Sequence, residues 1–242
     1  MNLVIDAGNT LIKTAVFMGN EILSEAKFNH ENFLPEIEKI FDSHPDINNS
    51  IISSVSCLSG KDVKALSVFC KVHELNSKSK VPFVNLYETP QTLGTDRIAL
   101  ITAAYYECKS ENVLIIDSGS CITYDFLSED AKYYGGAISP GIYMRFKALN
   151  MFTANLPLIE TTELTDFIGN STQSSIVSGI INGIIHEIEG TIRQYSERFT
   201  DLTIILTGGD SDFLSKRLKS TIFANSNFLF KGLNYILELN KN

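Results

Sequence analysis

Two copies of one short pattern constrain this 242-residue chain more than any other feature. Each copy is an apolar run that ends in Asp, a small residue, Gly and a small polar residue, at residues 3–10 and again at residues 114–120. The apolar run predicts a buried strand, and the Gly allows the backbone behind it to approach a ligand closely. The spacing of about half a chain predicts a duplicated domain with a nucleotide between the halves.

The Asp at the end of each run indicates phosphate chemistry that works through a metal ion. Asp6 and Asp117 would repel a phosphate directly, but such a carboxylate can hold a Mg²⁺ ion that binds one. The neighbouring Gly and small polar residues offer N–H and hydroxyl donors to phosphate oxygens. A single turn of this kind is weak evidence, because most such turns simply lead into a β-hairpin. The inference of phosphate chemistry therefore depends on the presence of two copies.

Composition narrows the class of protein. The net charge of −8 argues against a nucleic-acid or anionic-membrane surface, which needs a basic patch. The four cysteines and four histidines have no metal-ligand spacing, which predicts reduced thiols and no zinc site. No signal segment and no apolar run of ~18 residues is present, so we expect a soluble cytoplasmic protein.

Hydrophobic periodicity predicts three strands, a helix, a strand and a helix in each half of the chain. Such a repeat gives two α/β layers with mixed sheets, and a ligand is expected in the cleft between them. The loop at residues 76–93 is long enough to suggest a function. The predicted strands are 2–8, 12–18, 21–28, 50–55, 72–75, 113–117, 121–127, 131–138, 202–206 and 221–224. The predicted helices are one from 33 closed at 44–45, then 62–70, 95–108, one after 141, 172–199, 213–218 and 228–239.

The longest predicted helix, residues 172–199, has a wide apolar stripe and therefore packs against more than one neighbour. An internal core and a subunit interface explain the stripe equally well. Its positions are Ile176, Ile180, Ile184, Ile188, Ile192 and Tyr195, with Val177, Ile181 and Ile185 beside them.

Two further motifs stand where helices begin. Gly208-Gly209-Asp210 follows an apolar strand, and its bare backbone favours an anion or a tight strand-to-helix turn. Gly94-Thr95-Asp96-Arg97 follows the long loop, and Thr95 or Asp96 could simply cap the helix. An adjacent Asp and Arg also suit phosphoryl transfer, since Asp can accept a hydroxyl proton and Arg can bind a carboxylate or phosphate.

The order of these motifs resembles that of the type III pantothenate kinases, members of the acetate and sugar kinase/Hsp70/actin superfamily. The resemblance covers almost the whole chain. It implies an α/β fold of two duplicated ribonuclease H-like (actin-like ATPase) domains with mixed β-sheets and an interdomain cleft. The implied domains are 1–111 and 112–242, with the last helix, about 228–240, able to pack back on the first. The matching residues are Asp6-x-Gly8-Asn9-Thr10, Tyr87-x-x-Pro90, Gly94-x-Asp96-Arg97, Asp117-x-Gly119-Ser120-x-x-Thr123-x-Asp125, Gly135-Gly136-x-Ile138-x-Pro140-Gly141, Thr153-Ala154-x-Leu156-Pro157, Gly169-x-x-Thr172 and Gly208-Gly209-Asp210.

The resemblance implies transfer of the ATP γ-phosphoryl group to pantothenate, giving 4'-phosphopantothenate in the first step of coenzyme A synthesis. Asp96 matches the proposed general base, and Arg97 matches the residue that contacts the pantothenate carboxylate. Thr172 matches a residue that reaches pantothenate from the second subunit, which implies a homodimer with a shared site. The implied pantothenate-binding residues are Tyr87, Gly94, Thr95, Asp96, Arg97 and Thr172.

The resemblance also implies the nucleotide and metal contacts. Asp6 matches the Mg²⁺ ligand, and Asp117 matches a region that binds a monovalent cation, K⁺ or NH₄⁺, or contacts the substrate. Two departures bear on nucleotide affinity: Ser120 replaces the usual Thr, and Phe152 stands where Arg is common. The implied ATP-binding residues are Asp6, Ala7, Gly8, Asn9, Thr10, Leu11, Ile12, Lys13, Ser120, Gly208 and Gly209.

Two rival functions stay open. A kinase of the same superfamily that acts on a sugar hydroxyl would share Asp6, Asp117 and the late glycine pair, but it has no need of the Gly-x-Asp-Arg motif. A nucleotide-binding regulatory homologue would bind ATP without transferring phosphate, and retention of Asp6, Asp96 and Asp117 disfavours it.

Overall fold

The computed structural model describes residues 1–8, 11–54, 58–161, 163 and 166–241. The first compact unit comprises Met1–Glu107 and Asn227–Asn242. Its sheet has the strand order β3-β2-β1-β4-β5, in which β2 is antiparallel to β1 and β3, while β4 is parallel to β1 and β5. Its strands are β1 (Asn2–Ala7), β2 (Ile12–Met18), β3 (Glu21–Phe28), β4 (Asn49–Ser54), β5 (Lys71–Glu74) and the short β6 (Val84–Asn85). Its helices are α1 (Phe33–Ser43), α2 (Gly60–Phe69), α3 (Thr95–Glu107) and the last helix of the chain, α7 (Phe228–Asn240).

The second compact unit, Cys108–Ser226, repeats this plan. Its five strands follow the order β9-β8-β7-β10-β11. β8 is antiparallel to β7 and β9, while β10 is parallel to β7 and β11, so order and direction both reproduce those of the first unit. The elements are β7 (Asn112–Ser118), β8 (Cys121–Leu127), β9 (Lys132–Pro140), α4 (Ile142–Phe152), α5 (Thr172–Arg198), β10 (Leu202–Thr207), α6 (Ser211–Ser215) and β11 (Phe223–Ala224).

The structure departs from the predicted elements at three places. The helix predicted at 213–218 is α6, which begins earlier because the Ser211 hydroxyl donates to the Gly208 carbonyl at 2.8 Å. The strand predicted at 221–224 is reduced to Phe223–Ala224. The predicted loop at 76–93 contains β6 and a 3₁₀ turn at Pro90–Thr92.

The stripe on α5 lies in the core of the second unit. Ile176, Ile180, Ile184, Ile188 and Ile192 are all buried there against the strands of the same unit. The helix begins at a capping box in which the Ser171 hydroxyl accepts the Ser174 N–H. The apolar stripe is therefore buried within one chain, and it gives no separate argument for a subunit interface. Within the described residues, no helix is long and apolar enough to span a bilayer.

The last helix, α7, belongs to the same compact unit as Met1–Glu107, because it packs on α3 and β1. Asn2 Nδ2 donates to Asn234 Oδ1 at 2.7 Å, and Lys231 Nζ lies 2.6 Å from a carboxylate oxygen of Glu107. Gly232 allows the closest approach: a Cβ there would lie 1.9 Å from the Ala99 carbonyl oxygen. The place of α7 in the first unit thus depends on a position where no side chain fits.

We expect Gly232→Ala to lower the free energy of unfolding by about 1–3 kcal/mol, because the added methyl group pushes α7 away from α3. Gly190→Ala in α5 is the matched control, since no described atom lies within 4 Å of the place that its Cβ would take. It should raise stability by about 0.5–1 kcal/mol through helix propensity alone. Urea unfolding measures both, and an unchanged Gly232→Ala protein would contradict the close packing.

Candidate active site

Asp6 is a carboxylate near the end of the central strand of the first unit. Its neighbours in sequence, Ile5 and Ala7, are fully buried in the core. Burial raises the pKa of Asp6 to about 6; Lys13, its cross-strand partner on β2, opposes the rise, and the charge of Asp96 adds to it. The charge of Asp96 therefore acts on Asp6, so these two carboxylates lie in the same part of the first unit.

Asp96 lies in the first turn of α3. The Gly94 carbonyl accepts the Ile98 N–H at 3.2 Å, so Gly94 directly precedes the helix. Asp96 Oδ1 accepts the N–H of Arg97 at 2.8 Å, which holds the carboxylate against the helix start. A Cβ at Gly94 would lie 2.3 Å from that same oxygen, so Gly gives the carboxylate its space. Thr95 joins this turn to β4 through a 3.0 Å hydrogen bond between its hydroxyl and that of Ser53.

Arg97 is a buried cation beside the same turn. Its side chain is only 5% exposed, and its guanidinium carbon lies 5.4 Å from the centre of the Tyr87 ring. An Arg over an aromatic face is stabilised by a cation–π interaction and keeps a planar fork of donors. Tyr87 and Arg97, both predicted to bind the substrate, are thus brought together in the first unit.

The turn after Asp6 is held from two sides. The Gly8 N–H donates to the Leu11 carbonyl at 3.2 Å, and the Gly8 carbonyl oxygen lies 2.9 Å from His30 Nε2. Ala7 and Ile12, two of the predicted ATP contacts, have apolar side chains and are fully buried. The other two predicted residues of this turn, Asn9 and Thr10, lie outside the described residues.

In the second unit, Asp117 occupies the position in β7 that Asp6 occupies in β1. Gly208 has a φ of +95°, and a Cβ there would lie 2.4 Å from Asp117 Oδ1 and 2.2 Å from the Ser118 carbonyl oxygen. Gly208 therefore lets the end of β10 touch Asp117. The predicted residues Ser120 and Gly209 are exposed beside this turn.

A buried hydroxyl group lies on the same face of the sheet as Asp117. It belongs to Thr123, the cross-strand partner of Asp117 on β8. The hydroxyl groups of Thr123 and of Ser118, which points to the opposite face, have no hydrogen-bond partner among the described residues. Such hydroxyl groups are uncommon in proteins, and that of Thr123 suits a cation bound beside Asp117.

The glycines of β9 have a packing role that the sequence left open. A Cβ at Gly136 would lie 1.6 Å from the Tyr124 carbonyl oxygen, and one at Gly141 would lie 2.3 Å from that of Gly119. The Gly141 N–H also donates to the Ser120 carbonyl at 3.2 Å. Close packing, with Gly141 against the turn formed by Gly119 and Ser120, explains these residues.

Thr172, the last predicted substrate contact, is the first residue of α5 and is exposed. It lies at a cavity of about 1130 Å³ whose lining includes Arg145, Leu149 and Phe152 of α4 and Ile176 and Ile180 of α5. The role of Thr172 toward substrate stays a prediction.

Comparison with solved structures defines the class of protein. The chain is similar to the glucokinase of an Antarctic psychrotroph, with a TM-score of 0.56, 13% identity and 98% of both chains covered. It is also similar to a Campylobacter jejuni protein described as a Baf family transcriptional activator, with a TM-score of 0.65, 22% identity and 98% of both chains covered. These identities establish the fold alone, and the predicted pair of ribonuclease H-like domains with mixed sheets, as in sugar kinases, is confirmed.

The chain belongs to the type III pantothenate kinase family, whose profile matches residues 2–194. A protein of that name from Christiangramia forsetii is 54% identical over 241 residues, covering 100% of this chain and 99% of the relative. Another, from Flavobacterium johnsoniae, is 43% identical over 233 residues and covers 96% of both chains. The family predicted from the motifs is confirmed.

The pKa of Asp6 leads to a stability prediction. Because the native pKa of about 6 lies above the ordinary value of 3.8, the folded state binds the extra proton between these values. Stability therefore falls as pH rises through this window, by about 1–3 kcal/mol. Asp6→Asn should remove this loss, so that the variant matches the wild type near pH 3.5 and exceeds its stability at pH 8.

Urea unfolding in EDTA measures the effect without a bound cation. Lys13→Met offers a matched variant: Lys13 opposes the pKa rise, so its loss should enlarge the decline between pH 4 and 8. Equal pH slopes for wild type and Asp6→Asn would contradict the assignment of the shift to Asp6.

Proposed function

We propose that this protein transfers the γ-phosphoryl group of ATP to the primary hydroxyl of pantothenate, giving 4'-phosphopantothenate at the first step of coenzyme A synthesis. Membership of the type III pantothenate kinase family supports the reaction and the acceptor. The structural observation that carries the proposal is the pair formed by Asp96 and the buried Arg97 in the first turn of α3, with the charge of Asp96 acting on Asp6.

Asp96 and Arg97 have different tasks toward the acceptor. Asp96 orients the pantothenate hydroxyl and takes its proton late in the transfer, as a kinase base does. The hydroxyl oxygen forms a bond to the γ-phosphorus while the bond to the β–γ bridging oxygen breaks, and ADP leaves with that electron pair. Arg97 binds the pantothenate carboxylate through its fork of donors, with Tyr87 behind the guanidinium. Gly94 and Thr95 complete the acceptor pocket.

The residues around Asp6 fit a divalent cation that accompanies ATP. A buried carboxylate with a raised pKa and a second carboxylate nearby gains from a bound positive charge. The described part of the chain contains no cluster of three or more His, Cys, Asp or Glu side chains that could hold a metal ion, so a cation beside Asp6 would have few protein ligands. Mg²⁺ suits such a sparse site because it keeps waters and uses one or two carboxylates with substrate phosphates. When bound, it offsets the charge of the phosphates.

The residues around Asp117 fit a monovalent cation, K⁺ or NH₄⁺. The Asp117 carboxylate and the buried hydroxyl group of Thr123 supply oxygen donors on the same face of the sheet. A single carboxylate balances a single positive charge. We propose that Ser120, Gly208 and Gly209 of the same unit contact ATP, together with Asp6, Ala7, Gly8, Asn9, Thr10, Leu11, Ile12 and Lys13 of the first.

The two rival functions are less well supported. A sugar kinase has the same fold but gains nothing from an Arg stacked on Tyr87, which suits a carboxylate-bearing acceptor. The likeness to a Baf family transcriptional activator is at 22% identity and carries the fold only. A panel of vitamin and sugar acceptors in an ADP-release assay separates these functions, because a regulator would give ADP with none.

We further propose a cytoplasmic homodimer in which Thr172 reaches the acceptor bound to the partner subunit. The segments beside the α4–α5 cavity expose large apolar side chains: Phe152 is 84% exposed and Ile168 is 75% exposed. Clusters of such exposed residues mark interaction surfaces. The acidic chain disfavours a nucleic-acid partner.

Asp96→Asn should lower kcat by about 10²–10⁴-fold, because the hydroxyl loses its proton acceptor. Asp62→Asn in the same unit is the control: Asp62 belongs to the capping box of α2, so its loss should affect stability and spare turnover. A coupled ADP-release assay with pantothenate, run with and without K⁺, measures both. Near-normal kcat for Asp96→Asn would remove Asp96 from the mechanism.

A subunit-mixing experiment tests the role of Thr172. If Thr172 acts across subunits, a mixed dimer of Asp96→Asn and Thr172→Val chains has one site with both native residues. Equal mixing with subunit exchange should then restore about a quarter of the wild-type activity. If Thr172 acts within its own chain, mixing gives only the average of the two parent proteins, which would contradict the shared site.

A further inference from the structure

His30 contacts Gly8, which belongs to the predicted phosphate turn after Asp6. None of the motifs identified in the sequence includes His30. It lies in the 3₁₀ turn His30–Asn32 between β3 and α1, and its Nε2 lies 2.9 Å from the Gly8 carbonyl oxygen. A carbonyl oxygen only accepts, so Nε2 carries the proton and donates it to Gly8. The other ring nitrogen, Nδ1, is buried and has no hydrogen-bond partner within the described ranges.

The backbone on both sides of His30 is anchored in the core of the first unit. Phe28, two residues before it, is 8% exposed, and Phe33, three residues after it, is 2% exposed. The backbone at His30 can therefore shift only by disturbing two buried aromatic side chains. The hydrogen bond to the Gly8 carbonyl in turn connects Gly8 to this anchored segment.

The hydrogen bond from His30 to the Gly8 carbonyl oxygen fixes the orientation of the peptide group to which that carbonyl belongs. A peptide unit is planar and trans, so the direction of its C=O fixes the direction of the N–H on its other side. The Gly8 N–H is already bound to the Leu11 carbonyl at 3.2 Å, so the turn is held at both ends of this residue. Gly itself imposes little restriction on φ and ψ, and an outside contact is needed to select one conformation.

We infer that His30 is a positioning residue for nucleotide binding: by donating to the Gly8 carbonyl, it holds the phosphate turn in the conformation that accepts ATP. The inference rests on the proposed function, because it takes ATP as the ligand of this turn. His30 itself touches neither ATP nor pantothenate in this proposal. Its loss therefore changes nucleotide affinity through Gly8 and leaves the acceptor residues Asp96 and Arg97 in place.

Three variants test the inference. His30→Phe keeps an aromatic ring of similar size and removes the donor, whereas His30→Gln keeps an N–H donor at a similar distance from the backbone. His44→Phe is the matched control in the same unit, because His44 Nε2 lies 2.9 Å from the Ser24 hydroxyl and not from the phosphate turn. Thermal unfolding of all three proteins shows how much each substitution affects the fold.

The first readout is the dissociation constant of a non-hydrolysable ATP analogue with Mg²⁺, measured by calorimetry. We expect His30→Phe to weaken binding about three- to tenfold, the effect of losing one ordinary hydrogen bond. His30→Gln should recover most of this affinity, and His44→Phe should bind as the wild type does. Because this readout needs no acceptor, it tests His30 even if pantothenate were the wrong substrate.

The second readout is steady-state kinetics with pantothenate. His30→Phe should raise the KM for ATP by a similar factor and leave the KM for pantothenate unchanged. Wild-type ATP affinity in His30→Phe would overturn the inference, as would equal losses in His30→Phe and His44→Phe, which indicate general destabilisation. Absence of turnover in the wild type, with analogue binding intact, would overturn the proposed function and not the role of His30.

Discussion

The burial of one carboxylate, Asp6, is the constraint on which the candidate site depends. β1 lies between β2 and β4 at the centre of its sheet, and its side chains Leu3, Val4 and Ile5 are fully buried. A carboxylate near the end of such a strand loses hydration, and its pKa rises to about 6. The fold thus keeps a buried carboxylate at this position, and a bound cation would stabilise its negative charge. Functional sites commonly contain such groups, which lower the stability of the folded protein.

Duplication produced two such carboxylates, and their neighbours have diverged. The residue opposite Asp6 on the adjacent strand is Lys13, whereas the residue opposite Asp117 is Thr123. Lys13 offsets part of the negative charge of Asp6, and the carboxylate of Asp96 adds a second negative charge nearby. A Thr adds a neutral oxygen ligand near Asp117. The same strand geometry therefore places different chemical groups beside the two carboxylates.

Much of this fold could be predicted from the sequence because its central strands are continuous apolar runs that end in Gly or Asp. The place of α7 could only be left open: an apolar helix shows which face is buried but not which surface covers it, and the fit of Gly232 on Ala99 exists only in the folded chain. Asp6, Asp96 and Arg97 were found through motifs. His30 gave no signal, because a lone His after a strand follows no period and its contact with Gly8 joins residues 22 positions apart.

The glycines of the predicted motifs are not all required for the same structural reason. At Gly141 and Gly208 an added Cβ would lie within 2.4 Å of a backbone carbonyl oxygen of the same unit, so packing alone excludes a side chain there. At Gly94 the near atom is an oxygen of the Asp96 side chain, which can move, so this Gly serves the position of that carboxylate. At Gly119 and Gly209 no described atom outside the neighbouring residues of the chain lies within 4 Å of such a Cβ. Gly141 and Gly208 therefore support the fold whether or not a nucleotide binds, whereas packing gives no reason for Gly at positions 119 and 209.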